Sequence, residues 1–325
     1  MKLSVEPVTL PLEHPFSITG HTFTHLEAVW VTLEDAGASG RGEGAGVYYL
    51  GDSQQAMLDA LGSAKSRVEG GEDVFEVAGS LTSKGAANAL DSAGWDLRCK
   101  LEGKSIWELL DIKPKNLYTV ATIGMGTDEF MGARALDFAG YQNLKIKLDS
   151  ERPIERVRVI RGKRPDANLV IDANQAWSRE LLEELLPQLA ELGVKMVEQP
   201  LKRGADEALA GLDSPIPIGV DEGCLNLEEY FQVAGHYDVV NIKLDKCGGL
   251  TPALRLANQA MTDGKRLMVG NMTGTSLSMA PAFVIGQFCE FVDIDGPLLL
   301  ENDIEGGLQY LPGGEVTPPS SELWG

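Results

Sequence analysis

Two lysines, Lys145 and Lys147, stand two apart in the run NLKIKLD (143–149). The run reads as a strand, and side chains two apart on a strand share a face. A lysine is rarely buried without a partner, so two ammonium groups aimed the same way call for a chemical reason. Lysine is a poor base at its ordinary pKa of about 10.4. A second ammonium alongside disfavours the charged form and is expected to pull that pKa down. On this reading Lys147 is a base and Lys145 its electrostatic neighbour.

Other β-rich runs also end in ionisable residues. NLVIDAN (168–174) ends in Asp172, with Asn174 two further on; VKMVEQP (194–200) carries Glu198; IPIGVDE (216–222) carries Asp221 and then Glu222. DVVNIKL (238–244) carries Lys243, with Asp245 two on, and EFVDIDG (290–296) carries Asp293 and Asp295. A lone Asp at a strand end is more often a turn or cap residue. A lone Lys there is more often solvated. The set carries more weight, because its members share one register and one face. Asp172, Glu198 and Asp221 are expected to converge. An oxygen-only set with no His or Cys suits a hard cation such as Mg²⁺. The alternative is a structural network of these carboxylates with the lysines. Three like charges buried without a cation would be costly, which favours the metal.

The elements that must position these groups are legible from residue 117 onward. With LYTVATIG (117–124) and RLMVGNM (266–272) there are eight short runs, most separated by helix-like patterns such as 180–193 and 251–264. That rhythm predicts βα units and a TIM-like (β/α) barrel, with a doubly wound sheet as runner-up. In such a barrel the active groups sit at the C-terminal strand ends. Runs two and six lie across the mouth from each other, so Lys147 and Lys243 are expected to face opposite sides of a metal-held ligand. This suits removal of a proton from one face of a carbon and return to the other. A carbon acid beside a carboxylate yields a dianion, which a divalent ion stabilises.

Residues 1–112 differ. LSVEPVTLPL, LEAVWVTLED and GRGEGAGVYYL read as three antiparallel strands, with helix following at 86–110. We expect an α+β capping domain over 1–112, a catalytic barrel over 113–297, and a tail, 298–325, that returns to the first domain. GRGEGAG (40–46) lacks the spacing of a dinucleotide or P-loop fingerprint and is expected to be a turn between strands.

The formal net charge of −20 over 325 residues argues against nucleic-acid partners and against an anionic membrane surface. The N-terminal stretch lacks the apolar core of a signal peptide, and no stretch approaches a membrane span. The four cysteines are scattered without a CxxC pair, which fits reduced thiols and a cytoplasmic protein. The sequence leaves a homo-oligomer open.

KIK (145–147), DAN (172–174), EQP (198–200), DE (221–222) and NIKLDKCGG (241–249) resemble motifs of the enolase superfamily, in its muconate-lactonizing-enzyme subgroup. The resemblance covers nearly the whole chain, including the two-domain layout. It implies that Lys147 and Lys243 are the acid/base pair and that Asp172, Glu198 and Asp221 bind Mg²⁺. FVDIDGPLLL (291–300) is similar to dipeptide epimerases of the L-Ala-D/L-Glu epimerase family. There a D-x-D pair holds the substrate's α-ammonium group. Asp293 and Asp295 would do so here; the bland alternative is an Asp capping a turn before Pro297. The implied substrate is an L-Ala-L-X dipeptide, inverted at the α-carbon of its C-terminal residue.

Glutamate-selective relatives carry an arginine in the loop after the N-terminal PF. The corresponding stretch here is ITGHTFTH (18–25), and the first arginine is Arg41. A glutamate side chain would lose its bidentate partner. His21 offers a weaker donor, while Phe23, with Tyr48 and Tyr49, suggests an apolar pocket. The expected C-terminal residue is therefore uncharged and often hydrophobic. Thr119, Asn271 and Met272 match positions that line the site in relatives, with core or turn roles as the alternative. His14, His25 and His236 read as surface or packing residues. The rivals are a cycloisomerase, an o-succinylbenzoate synthase or an N-acylamino acid racemase of the same subgroup. More remote is a non-catalytic, metal-stabilised binding barrel.

Overall fold

The computed structural model describes residues 1–18 and 20–325. The chain opens with strands β1 (Lys2–Ile18), β2 (His21–Asp35) and β3 (Ala38–Ala45), paired antiparallel in the order β1-β2-β3. The turn between β2 and β3 places Ala36 and Gly37 at φ 48° and 85°, the positive-φ pair that a two-residue hairpin needs. β1 is an edge strand and carries Pro7, Pro11 and Pro15. An edge tolerates proline because an outward N–H has no ladder partner to lose. The expected loop 18–25 is largely this hairpin, with Ile18 opposite His21 and Ser17 opposite Thr22; Thr19 lies outside the described residues.

Helices α1 (Gln54–Glu69), α2 (Val74–Ser80) and α3 (Lys84–Glu102) follow. Each opens on a side-chain cap, Ser53, Asp73 and Ser83 in turn, which satisfies an otherwise orphaned N–H. Most of α3 is buried, because it lies against β3 on one side and the barrel on the other.

The glycine run 40–46 corrects an expectation. Most of it is strand β3, not a turn. Gly40, Gly42 and Gly44 share one face, and a Cβ on them would meet Ala93 O at 2.3 Å, Ala89 O at 2.2 Å and Gly85 O at 2.1 Å. Glycine serves here because α3 packs backbone to backbone against the strand.

The expected first barrel run splits in two. β4 (Leu117–Tyr118) pairs with β14 (Glu315–Val316), which also pairs with β13 (Tyr310–Leu311). The barrel proper is β5 (Val120–Ile123), β6 (Asn143–Lys147), β7 (Asn168–Asp172), β8 (Val194–Glu198), β9 (Ile218–Val220), β10 (Val239–Ile242), β11 (Arg266–Val269) and β12 (Phe291–Val292). All neighbours are parallel and in chain order. Helices such as Arg179–Glu191 and Leu250–Thr262 surround it. The strands are buried on both faces, hence their nearly unbroken apolar runs. Between β12 and β5 side chains bridge the seam: Ile294 N donates to Thr119 Oγ1 (3.0 Å) and Thr122 N to Asp295 Oδ2 (2.7 Å).

The tail packs on α3. Trp324 is fully buried and donates Nε1–H to Ser92 O (2.9 Å), and Gly325 N donates to Asp96 Oδ1 (2.8 Å). These contacts, with the change from α+β to βα order, support the division at 112/113 and the returning tail that we propose for this chain. Among the described residues no helix is long and apolar enough to cross a membrane. Replacing Gly42 with Ala should cost about 1–3 kcal/mol of stability by forcing α3 off the sheet; urea denaturation with circular dichroism measures it.

Candidate active site

The expected ionisable residues do meet at the C-terminal mouth of the barrel. Lys147, Asp172 and Glu198 are the last residues of β6, β7 and β8, and the ladder sets Lys147 opposite Asp172 and Asp172 opposite Glu198. Asp221 and Lys243 directly follow β9 and β10, and Asp293 directly follows β12. On the same inward face, two residues earlier, Val170 and Met196 begin an apolar layer that also includes Val239 and Met268. At this level Lys145, paired with Val170 in the ladder, and Asn241 carry the polar network below the strand ends.

Asp172, Glu198 and Asp221 each offer an oxygen within 4.8 Å of the others, and all three are buried. Neighbours hold them in place. Asn241 Nδ2 donates to Glu198 Oε1 (2.6 Å), and Asn174 N to Asp172 Oδ1 (3.0 Å). Gln199, at φ 37°, takes Asp221 N (2.8 Å) and Gly223 N (2.9 Å) on its Oε1. Glu198 Oε2 lies 2.8 Å from Lys145 Nζ but outside hydrogen-bond alignment, and has no other partner among the described residues. A buried carboxylate oxygen without a hydrogen bond, in an oxygen-only set, fits a hard divalent cation.

The lysines interleave with these acids. Asp172 Oδ2 contacts both Lys147 Nζ (2.7 Å) and Lys145 Nζ (3.1 Å). Lys145 also reaches Asp293 Oδ2 (2.9 Å), and Lys243 reaches Asp221 Oδ2 (2.6 Å). Carboxylates dominate the surroundings of Lys145 and Lys243. Burial pulls Lys145 and Lys243 down, yet the surrounding carboxylates, Asp293 first for Lys145 and Asp221 first for Lys243, hold both above the ordinary lysine value. Burial in turn raises Asp172 and Glu198. Lys147 and Lys145 outweigh it for Asp172, which falls to about 2, whereas the Asp172 charge adds to it for Glu198, which rises to about 7.

Asp293 and Asp295 lie together in the seam. Asn271 Nδ2 donates to Asp293 O (2.9 Å) and Oδ1 (3.0 Å). Burial, then the neighbouring Asp293, push Asp295 up to about 8. Thr119 is also a seam residue, fully buried, its hydroxyl engaged by Ile294 N. Asn271 and Met272 line the cleft beside Lys147 and Lys243, as do Phe23, Tyr48 and Tyr49 from the capping domain. His21 stands just outside, its ring centroid 4.2 Å from that of Phe23 and 5.2 Å from that of Tyr48, and lines an adjoining outer cleft. His14 and His25 are exposed and His236 is half-buried.

Several supporting residues lie within motifs quoted from the sequence but were given no role there. Lys246 is buried and donates to Asp221 Oδ1 (2.7 Å), Asp221 O (2.6 Å), Cys224 O (3.1 Å) and Asn241 O (3.1 Å). Glu222 accepts from Asn174 Nδ2 (3.2 Å) on Oε1, while its Oε2 is buried without a hydrogen-bond partner among the described residues. Asn241 was accessible in principle: it stands two before Lys243, on the same face of the strand. Lys246 gave no such signal, since it lies beyond the strand.

The chain belongs to the mandelate racemase / muconate lactonizing enzyme family. Residues 1–111 match the N-terminal domain model of that family, and residues 131–322 match an enolase C-terminal domain-like model. The L-Ala-D/L-Glu epimerase of Escherichia coli K12 is 38% identical over 306 residues, which span 93% of this chain and 95% of that protein. A crystal structure from Agrobacterium tumefaciens superposes with a TM-score of 0.95 at 36% identity, covering 99% of both chains. That structure is of an enolase family member with homology to dipeptide epimerases, with bound sodium and L-Ala-L-Glu. A dipeptide epimerase of Enterococcus faecalis, complexed with Mg and L-Leu-L-Tyr, gives a TM-score of 0.91 at 26% identity over 98% of this chain and 96% of its own.

Asp295 supplies a pH test. Its carboxyl ionises at about 3.9 in an unfolded chain but at about 8 here. A raised folded value favours folding fully only below the unfolded value, and that advantage is lost as pH rises through the window between them. Asp295→Asn keeps an acceptor for Thr122 N and cannot ionise. Its stability relative to the parent protein should therefore climb between about pH 4 and 8; urea titrations at both ends of the window measure the trend.

Proposed function

We propose that the chain is a dipeptide epimerase that inverts the α-carbon of the C-terminal residue of an L-Ala-L-X-type dipeptide. One observation carries the reading. Lys147 and Lys243 line one cleft from strands on opposite sides of the barrel mouth, with a buried carboxylate triad between them. A Mg²⁺ ion held by Asp172, Glu198 and Asp221 supplies Lewis-acid stabilisation of the negative charge that builds on the substrate carboxylate. One lysine, neutral, takes the α-proton as the C–H bond breaks. The other, an ammonium, delivers a proton to the opposite face. The two then exchange protonation states, so either epimer is a substrate.

Lys145 contributes a fixed positive charge beside that carboxylate, and its partners keep it protonated. In this reading Asp293 and Asp295, which lie behind the cleft-lining Asn271, take the dipeptide's α-ammonium group. The cycloisomerase, o-succinylbenzoate synthase and N-acylamino acid racemase readings leave that acidic pair without a ligand. The non-catalytic barrel leaves both lysines without a task. For the side chain X, the cleft offers Phe23, Tyr48 and Tyr49, and no arginine precedes Arg41. We infer an uncharged, often hydrophobic X. The four cysteines are unpaired, which supports a reducing, cytoplasmic setting.

With Mg²⁺ in D₂O, mass spectrometry should find one deuterium in the C-terminal residue of accepted dipeptides. Lys147→Ala and Lys243→Ala should each cut turnover by on the order of 10²–10⁴-fold. EDTA should abolish the exchange, and added Mg²⁺ should restore it. No deuterium in any dipeptide, with Mg²⁺ present, would overturn the reading. The kcat/KM for L-Ala-L-Phe should exceed that for L-Ala-L-Glu by about tenfold or more; comparable values would remove the argument about X.

A further inference from the structure

Glu43 is fully buried on β3, far in sequence from the barrel, and the donors to its carboxylate among the described residues are all neutral. Burial pushes its carboxyl upward, although its hydrogen bonds oppose the shift. A carboxylate is a costly way to fill an interior site. Its three donors show what it holds. Glu43 Oε2 accepts Trp30 Nε1–H (2.7 Å) and the Thr275 hydroxyl, and Oε1 accepts Thr275 N–H (2.8 Å). The loop backbone presses close: a Cβ on Gly274 would lie 2.5 Å from Glu43 Oε1. The alternation of β3 explains the direction, because Gly42 and Gly44 turn toward α3 and Glu43 turns the other way.

Thr275 ends the loop that follows β11, and that loop carries Asn271. Thr273, at φ 65°, donates its N–H to Asn271 Oδ1 (2.7 Å). Asn271 Nδ2 reaches Asp293 O and Oδ1, and Asp293 Oδ2 reaches Lys145 Nζ (2.9 Å). The loop backbone from Thr275 to Thr273 and these short contacts thus connect a capping-domain carboxylate, past the cleft-lining Asn271, to the buried Asp293 behind it.

We propose that Glu43 is a positioning residue: it anchors the 271–275 loop, and through Asn271 it aims Asp293 at the substrate's ammonium group. This rests on the dipeptide reading above. Glu43→Gln keeps the volume, but in either orientation its amide NH2 faces an N–H donor, that of Trp30 Nε1 or of Thr275. Thr275→Val swaps the hydroxyl for a methyl, losing its bond to Glu43 and its cap on Leu277 N–H (3.2 Å) but keeping the Thr275 N–H to Oε1. The parent and both variants are compared by the KM and kcat for L-Ala-L-Phe and by the inhibition constant of propionyl-L-Phe. That analogue has the same C-terminal residue and no ammonium group, and it binds whether or not it turns over.

Glu43→Gln should raise KM for the dipeptide about tenfold, the scale seen when an orienting partner behind a functional group is lost. Its kcat should change less, and the inhibition constant of propionyl-L-Phe should stay within about twofold. Thr275→Val should shift KM in the same direction, and the double variant should be no worse than Glu43→Gln alone. Equal weakening of both ligands would mark a merely structural residue and overturn the proposal. So would an unchanged KM, or additive losses in the double variant. A parent protein that exchanges no dipeptide would defeat the epimerase reading instead, which separates the two failures.

Discussion

Asp172 Oδ2 lies within ion-pair distance of both Lys145 and Lys147, and the barrel mouth is organised around contacts of this kind. Each charge taken out of water costs several kcal/mol unless close partners offset it. Here acids and lysines alternate around the mouth, and none of the catalytic candidates is buried alone. The same balance sets protonation. Asp172 is held low by two lysines, Glu198 is left high beside Asp172, and Lys145 is kept charged by the acids around it. A cation added to the triad would enter a site whose geometry and charge are already arranged.

That arrangement depends on rigid backbone. Parallel strands in register bring Lys147, Asp172 and Glu198 level across three neighbouring ends. Strain is kept where it helps. Gln199, at positive φ, turns its amide back to hold Asp221 N and Gly223 N. Lys246 grips the Asp221 carboxylate and backbone together. The capping domain closes the site from above with Phe23, Tyr48 and Tyr49, and it grips the barrel through polar contacts. Asp245, just beyond Lys243, accepts Ala45 N (3.0 Å) and Asn88 Nδ2 (2.8 Å), as Glu43 holds the next loop. The two domains thus share the task of shaping one cleft.

Much of this was legible in the residues. The eight-run rhythm specified the barrel, because strand and helix periods are local properties of the chain. Strand parity placed Lys145 and Lys147 on one face. The strand-end rule then brought Asp172, Glu198, Asp221, Lys243 and Asp293 to one mouth. Arginine-free residues before Arg41 and the aromatic set Phe23, Tyr48 and Tyr49 pointed to the cleft wall. The misreadings also have physical causes. GRGEGAG looked like a turn because glycine is intrinsically flexible; it is a strand because α3 needs its bare face. For Lys145 and Lys243, carboxylates from other strands enter the balance, and no pattern along a single strand reveals them.

The sequence by itself therefore determined the fold class, the barrel's active face and the chemical types gathered there, since these follow from spacing along the chain. Tertiary structure decided the rest. Thr119 serves the seam, Asp295 becomes a high-pKa partner of Asp293, His21 stands outside the inner cleft, and Glu43 meets Thr275 across 232 residues of sequence. No local pattern encodes such meetings. They arise when packing brings distant backbone together, and burial then makes every polar group there find a partner.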